Sequence, residues 1–297
     1  ELHRFPNGPV KISGALHWNL DALLGELKTG LKKAAARKLP IAGISSDSWG
    51  VDYALLDERG LALPPVWCYR DSRTAYGVEN VKAKVDWPTI FAETGIQFMA
   101  LNTIYQLAAE SPERLAKARQ LLLLGDAFNY FLSGVARNEV SLASTTQLYN
   151  PQTKTWSKKL LAALDLREDL FAPICASGTK LGPLKKNLAT EVDLPPVEVI
   201  ATCSHDTGAA VAAIPASGDD WAFLSSGTWS LMGVERPKPV INEQARSLGF
   251  TNEIGFGDSV RLLKNIVGLW ILQECRRQGE KEGTKHDFAA LEKRVAA

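Results

Sequence analysis

The sequence predicts an α/β protein made of one large domain and part of a second. Short runs rich in β-branched and aromatic residues alternate with longer segments in which leucines recur every three or four residues. A chain of 297 residues is also longer than one hydrophobic core comfortably serves. Near the three-quarter point, Ala216-Ser217-Gly218-Asp219-Asp220 replaces the apolar pattern with small and acidic turn residues, the composition of a linker. The expected units are therefore 1–215 and 216–297.

Taken in order, the first element is a hairpin within 3–18, because Asn7-Gly8-Pro9 stands between short apolar or aromatic runs. Leu20, Leu23, Leu24, Leu27 and Leu31 then share one helical face, with Lys28, Lys32 and Lys33 on the other. Ile41-Ala42-Gly43-Ile44 and residues 51–56 read as strands flanking the loop Asp47-Ser48-Trp49-Gly50, and the second ends at the turn Asp57-Glu58-Arg59-Gly60. Residues 63–69 read as a further strand. From 74 to 170 the period turns mainly helical, with helices expected at 87–94, 103–110, 126–132 and 158–166. Strand character returns at 197–203, then passes through Ser204-His205-Asp206-Thr207-Gly208 into a small-residue helix that Pro215 ends. Beyond the linker, 221–234 reads as a hairpin around Ser225-Ser226-Gly227-Thr228, and 262–275 as an apolar helix.

Composition narrows the function. Apolar residues at 45% and charged residues at 23% match ordinary globular proteins and exclude disordered, fibrous and membrane classes. Lys plus Arg number 34 against 33 Asp plus Glu, and basic clusters are no longer than pairs, so no stripe for nucleic acid or an anionic membrane is present. No apolar run approaches a membrane span, and Glu1-Leu2-His3-Arg4-Phe5-Pro6 lacks the apolar core of a signal peptide, so a cytoplasmic location is expected. Cys68, Cys175, Cys203 and Cys275 are far apart and form no C-x-x-C pair, which argues against a zinc site or a disulfide framework.

Three clusters carry chemistry. Cys203-Ser204-His205-Asp206-Thr207-Gly208 lies where a strand passes into a helix, a position that ligands favour in α/β proteins. A carboxylate there is held ionised by free amides and the positive helix end, so Asp206 is either a proton acceptor or simply a helix cap. Ser225-Ser226-Gly227-Thr228 either forms a nest of backbone donors for phosphate oxygens or is a plain glycine turn. Asp47-Ser48-Trp49-Gly50-Val51-Asp52 and Arg70-Asp71-Ser72-Arg73 mix an aromatic ring with hydrogen-bonding groups. Sugar sites need that mixture, since hydroxyls want directed polar partners and the C–H face packs on a ring. Each alone is equally a surface loop with salt bridges.

Together the segments resemble the FGGY carbohydrate kinases through almost the whole chain. The phrases that carry the resemblance are Ser48-Trp49-Gly50-Val51-Asp52-Tyr53, Tyr69-Arg70-Asp71-Ser72-Arg73-Thr74, Thr94-Gly95-Ile96-Gln97-Phe98, Asn102-Thr103-Ile104-Tyr105-Gln106-Leu107, Ser144-Thr145-Thr146-Gln147-Leu148, Ser204-His205-Asp206-Thr207, Leu224-Ser225-Ser226-Gly227-Thr228-Trp229-Ser230-Leu231-Met232-Gly233 and Leu263-Lys264-Asn265-Ile266. The resemblance implies two actin-like (ribonuclease H-like) domains, a small-molecule ketose bound in the first, and ATP with Mg2+ bound mainly between them. It implies phosphorylation of the ketose at its C1 hydroxyl, with L-rhamnulose foremost and L-fuculose, L-ribulose or D-xylulose as alternatives; a non-catalytic sugar-binding remnant is the other reading. It assigns Asp206 as catalytic base, Gly50, His205, Asp206 and Thr207 as sugar contacts, and Gly227, Thr228, Asn265 and Gln273 as nucleotide contacts. Asp52, Arg73, Gln97 and Asn102 are further sugar-site candidates. No side chain is assigned to a metal. The family's D-x-G-x-x-S phosphate hairpin would precede Glu1 and its Gly-Gly-Gly adenine motif would follow Ala297, so the fold is expected to be incomplete at both ends.

Overall fold

A computed structural model describes every residue except 219, 285, 286, 296 and 297, and the side chain of 289. Asp219 of the expected linker therefore lies outside the described residues. The chain opens on the antiparallel hairpin Val10–Ile12 and Ala15–Trp18, in register Ile12 opposite Ala15. Its turn is Ser13-Gly14, with φ of 50° and 88°, and not Asn7-Gly8-Pro9, which precedes the first strand. Two adjacent left-handed residues give the twist that a two-residue hairpin needs. Val66–Trp67 adds a third strand through Trp18 and Val66.

Asn19 caps the helix Leu20–Ala35 by accepting from the Ala22 amide at 3.1 Å, and Lys32 and Lys33 complement its carboxyl end. Its leucines pack onto two clusters, one built on Leu122, Leu124 and Phe128 and the other on Val197, Val199 and Leu188. The centre of the molecule is the strand Tyr53–Leu56, paired antiparallel with Gln120–Leu123, all but Gln120 of these buried. The second strand lies in a stretch expected to be helical. Leu121, Leu122, Leu123 and Leu124 run without a break into the helix Leu124–Ser133, and a continuous apolar run does not distinguish strand from helix. Gly43–Ile44 runs parallel to Glu198–Ala201, which also pairs with Thr179–Pro183.

Past residue 222 the chain forms a four-stranded antiparallel sheet ordered Phe223–Ser226, Trp229–Arg236, Val260–Val267, Thr251–Ile254. The expected apolar helix at 262–275 is thus corrected: its first part is the strand Val260–Val267, paired on both edges, and the helix is Trp270–Lys281. Eight residues of pairing with Trp229–Arg236 override helical spacing here. The junction is Gly268, where a Cβ would sit 2.6 Å from Ser230 Oγ and 2.7 Å from the Gly227 carbonyl. The sheet is seated on the earlier residues by its edge strand: Asn252 Nδ2 donates to the Gly95 carbonyl at 2.9 Å, the Ile254 amide to Ser144 Oγ at 2.9 Å, and Ile254 and Val260 join the largest core.

Candidate active site

Between the first and second parts lies a cavity of about 650 Å³. One of its walls is a loop fastened from below. Glu139, fully buried, accepts from the amides of Ser204 and Ser141 at 3.0 Å each and from the Ser141 hydroxyl. Ser141 Oγ in turn accepts from the His205 amide at 3.0 Å. Beside Glu139, burial first and the Glu139 charge second push the Asp126 carboxyl well above its ordinary range. On the cavity side the Ser48 amide donates to the Ser204 carbonyl at 2.9 Å, and the Asp206 amide donates to the Ser48 carbonyl at 2.8 Å. The two polar loops that sequence picked out separately are thus zipped together. Gly208 leaves no room for a side chain, since a Cβ would lie 2.6 Å from Cys203 Sγ.

Asp206 opens the helix Asp206–Ala212 and is not its cap; His205 holds that position, without a side-chain cap bond. The Asp206 carboxylate is half exposed to the cavity, and its Oδ1 accepts from the Thr207 amide at 2.6 Å and the Thr207 hydroxyl at 3.2 Å. His205 is buried behind it, with Nε2 3.5 Å from Asp206 Oδ1. His205 Nδ1 meets Arg261 Nη2 at 3.0 Å and Glu253 Oε2 at 3.3 Å, while Arg261 Nη2 and Glu253 Oε2 are 3.1 Å apart. Nδ1 thus faces a guanidinium, which can only donate, and a carboxylate, which can only accept, so either neutral tautomer finds a partner there, and Nε2 is the ring nitrogen turned toward Asp206. Burial alone would raise the Glu253 carboxyl, but the charge of wholly buried Arg261 and the bond to His205 outweigh it and hold it below its ordinary range. Sequence reasoning missed Glu253 and Arg261. Neither Phe250-Thr251-Asn252-Glu253-Ile254 nor Val260-Arg261-Leu262-Leu263-Lys264 carries a local pattern that sets its charge apart.

The remaining expected residues divide. Gly50, Asn102, His205, Asp206, Thr207, Gly227, Thr228, Asn265 and Gln273 all line the one cavity. A Cβ at Gly50 would lie 2.9 Å from Thr145 Oγ1, so the crowding neighbour is a protein side chain. Asn102 spends its amide on the chain, accepting from the Met99 amide and donating to the Thr145 carbonyl, both at 3.0 Å. Asp52, Arg73 and Gln97 do not line the cavity. Arg73 binds the Gln106 carbonyl at 2.9 Å, lies 3.7 Å from Glu110 and stacks 4.5 Å over Trp67; Gln97 is half-buried with Oε1 unpartnered. Asp52 is wholly buried beneath the cavity floor.

From the second part, the turn Gly227-Thr228 reaches the same cavity. The nest reading needs correction there, because the Gly227 amide already donates to the Trp229 carbonyl at 2.8 Å. Asn265 offers more: the residue lines the cavity, and its Nδ2 is buried without a hydrogen-bond partner. A buried donor without an acceptor is costly, by about 1–3 kcal/mol, and fits the site of an oxygen-rich ligand such as a nucleotide. Among the described residues no set of three or more His, Cys, Asp or Glu side chains is grouped for a metal.

Comparison with known proteins places this arrangement in a class. The FGGY family of carbohydrate kinases matches over both its N-terminal domain, at residues 9–213, and its C-terminal domain, at 222–297. The chain belongs to that family. Its fold is the actin-like fold of solved sugar kinases: a xylulose kinase from Lactobacillus acidophilus superposes with a TM-score of 0.78 at 18% identity, over 91% of this chain and 56% of that one. Plasmodium falciparum glycerol kinase with ADP gives 0.75 at 16% identity, over 89% of this chain and 56% of that one.

Within the family the sequence is similar to proteins named rhamnulokinase. That of Enterococcus faecalis is 41% identical over 297 residues, 100% of this chain and 60% of the relative. That of Halalkalibacterium halodurans is 42% identical over 294 residues, 98% of this chain and 62% of the relative. The chain spans about 60% of the length of the curated relatives it matches.

Proposed function

We propose that these residues form the sugar site and part of the nucleotide site of a kinase that transfers the γ-phosphoryl group of ATP to the C1 hydroxyl of L-rhamnulose, giving L-rhamnulose 1-phosphate. The observation that carries this reading is the single cavity in which Asp206, from residues 9–213, meets Thr228, Asn265 and Gln273, from residues 222–297. The identity of about 40% to rhamnulokinases supports the choice of sugar. The division between the two units falls in this reading at 216–220, and the location is the cytoplasm.

Asp206 takes the hydroxyl proton as the oxygen attacks, which needs a carboxylate exposed to the cavity and held at one angle. Thr207 fixes Oδ1 from one side, and His205 approaches it with Nε2 from the other. Glu253 and Arg261 hold the histidine ring in place, so residues of both units orient the base. Asn265 Nδ2 and Thr228 serve the nucleotide as donors. Mg2+, when bound with ATP, offsets charge on the phosphoryl oxygens, and positioning with electrostatics supplies most of catalysis in this reaction.

Binding of a ketose panel to the 297-residue chain, by calorimetry, tests the reading. Tightest binding of L-rhamnulose supports it. Preference for L-fuculose, L-ribulose or D-xylulose moves the site to a sister sugar, and binding of none overturns the assignment.

A further inference from the structure

Trp18 and Trp49 both line the cavity, although they come from the first hairpin and from the loop before Tyr53–Leu56. Their ring centroids are 4.5 Å apart at a tilt of 46°. Neither indole N–H faces the cavity as a free donor: Trp18 Nε1 donates to Asp52 Oδ2 at 2.6 Å and Trp49 Nε1 to the same oxygen at 2.8 Å. The Tyr69 amide also binds this carboxylate, and Gln106 Nε2 reaches Oδ1 at 3.3 Å. Asp52 itself is 0% exposed.

The backbone is strained to place it there. Val51, β-branched, has φ of 67°, in the left-handed region that such residues avoid. Its amide donates to Thr145 Oγ1 at 3.2 Å, and its carbonyl accepts from Thr103 Oγ1 at 2.7 Å and Gln106 Nε2 at 3.1 Å. Strain that surrounding bonds over-determine in this way marks positions serving a site. The twist at Val51 sends Trp49 into the cavity wall while Asp52 turns beneath it.

We propose that Asp52 is a positioning residue for sugar selectivity, fastening the Trp18 and Trp49 indoles into an apolar wall that packs on the C–H face and the deoxygenated C6 end of a 6-deoxyketose. This rests on the reading of the cavity as a ketose site. With its N–H groups turned down onto Asp52, the wall offers ring carbons and no hydrogen-bond partner. A C6 hydroxyl laid against it loses water without replacement, and an apolar wall of this kind rejects an added hydroxyl by up to about 10²-fold.

The test compares binding of L-rhamnulose with that of L-fructose, its 6-hydroxy counterpart, to the 297-residue chain and its variants. Wild type should prefer L-rhamnulose by about tenfold or more. Asp52→Leu removes the acceptor shared by the two indole N–H groups and leaves them unpartnered. It should lower the melting temperature and bring the preference close to unity, with a shift in tryptophan emission. Asp52→Asn keeps one acceptor oxygen for both indoles and should hold the preference within about threefold of wild type. Trp49→Phe keeps a six-membered ring but deletes the pyrrole half of the indole with the N–H that Asp52 holds, so it probes the same wall should Asp52→Leu not fold; its preference should fall severalfold. Unchanged preference in Asp52→Leu or, failing that, in Trp49→Phe overturns the positioning role while leaving the ketose site standing. Failure of wild type to bind either sugar overturns the functional reading and this inference with it.

Discussion

The two walls of the cavity are built on opposite principles. The wall from the first domain is over-determined: Ser204, His205, Glu139, Ser141 and Asp52 are buried, and each polar loop is bonded from beneath. The wall from the second domain is open. Gly227, Thr228 and Trp229 line the cavity and are exposed, and Asn265 Nδ2 has no partner. A base and an aromatic wall act only if held at one angle before substrate arrives, whereas donors for phosphate oxygens gain their partners on binding. On the function proposed above, the sugar side is pre-organised and the nucleotide side is completed by its ligand.

The largest effect is expected where the two walls are tied together. Arg261→Met leaves Glu253 buried without its cation, and breaking such a pair costs about 3–5 kcal/mol. Urea unfolding should record that loss, and adding Glu253→Gln should restore much of it. A loss below about 1 kcal/mol would mean that the cluster is effectively solvated, as surface pairs are.

Next in size is a pH effect of the pre-organised wall. Burial, partly offset by the Trp49, Trp18 and Gln106 bonds, pushes the Asp52 carboxyl up to about 7 from 3.8. With the folded value raised, the protonated form favours the fold. That contribution is complete below the unfolded value near 3.8 and is lost as pH rises through about 7. Between pH 5 and 8 wild type should therefore lose roughly 3 kcal/mol that Asp52→Asn does not. The difference between their urea midpoints isolates this group from all others, and parallel midpoints would show Asp52 ionised throughout.

Asp206→Asn should lower ketose-dependent ADP release, in a protein that carries these residues and turns over, by on the order of 10²-fold or more. Sugar affinity should stay within about threefold, because the wall is otherwise untouched. Near-normal turnover would remove Asp206 from the mechanism.

How much of this was legible in the sequence follows the same division. The Ser204-His205-Asp206-Thr207 loop could be read because a strand-to-helix passage with polar residues is a local pattern, and the Gly227-Thr228 turn because glycine punctuates a hairpin. Gly50 was legible as a residue without room, but its neighbour Thr145 is 95 positions away in sequence and no local pattern encodes the contact. Glu253 and Arg261 escaped for the same reason. They sit on adjacent strands, opposite one another in the register, and the charge of each makes sense only once that pairing brings His205 against them. Asp52 was picked out as a sugar contact when its place is one layer below. Sequence recorded that a carboxylate belongs there, and only the strained turn at Val51 decides which way it faces.

The smallest effects are expected on the open wall, where they sharpen the contrast most. Thr228 is exposed in its turn, so Thr228→Val should leave stability within about 0.5 kcal/mol while weakening ADP binding by about tenfold, the worth of one hydrogen bond to a charged oxygen. Asn265 should behave differently. Its Nδ2 is already buried without a partner in the absence of nucleotide, so Asn265→Leu removes an unsatisfied donor and should stabilise the ligand-free protein by about 1 kcal/mol. The same change deletes the donor that ADP would satisfy, so nucleotide affinity should fall as stability rises. L-Rhamnulose affinity should move in neither variant, since both residues belong to the second wall. Thermal melts with and without ADP, beside sugar titrations, read all three quantities on one sample. A variant that instead lost sugar and kept ADP would place the hairpin on the wrong ligand. An Asn265→Leu protein both less stable and unchanged toward ADP would mean that water already satisfies Nδ2, and the second wall would then be as complete as the first.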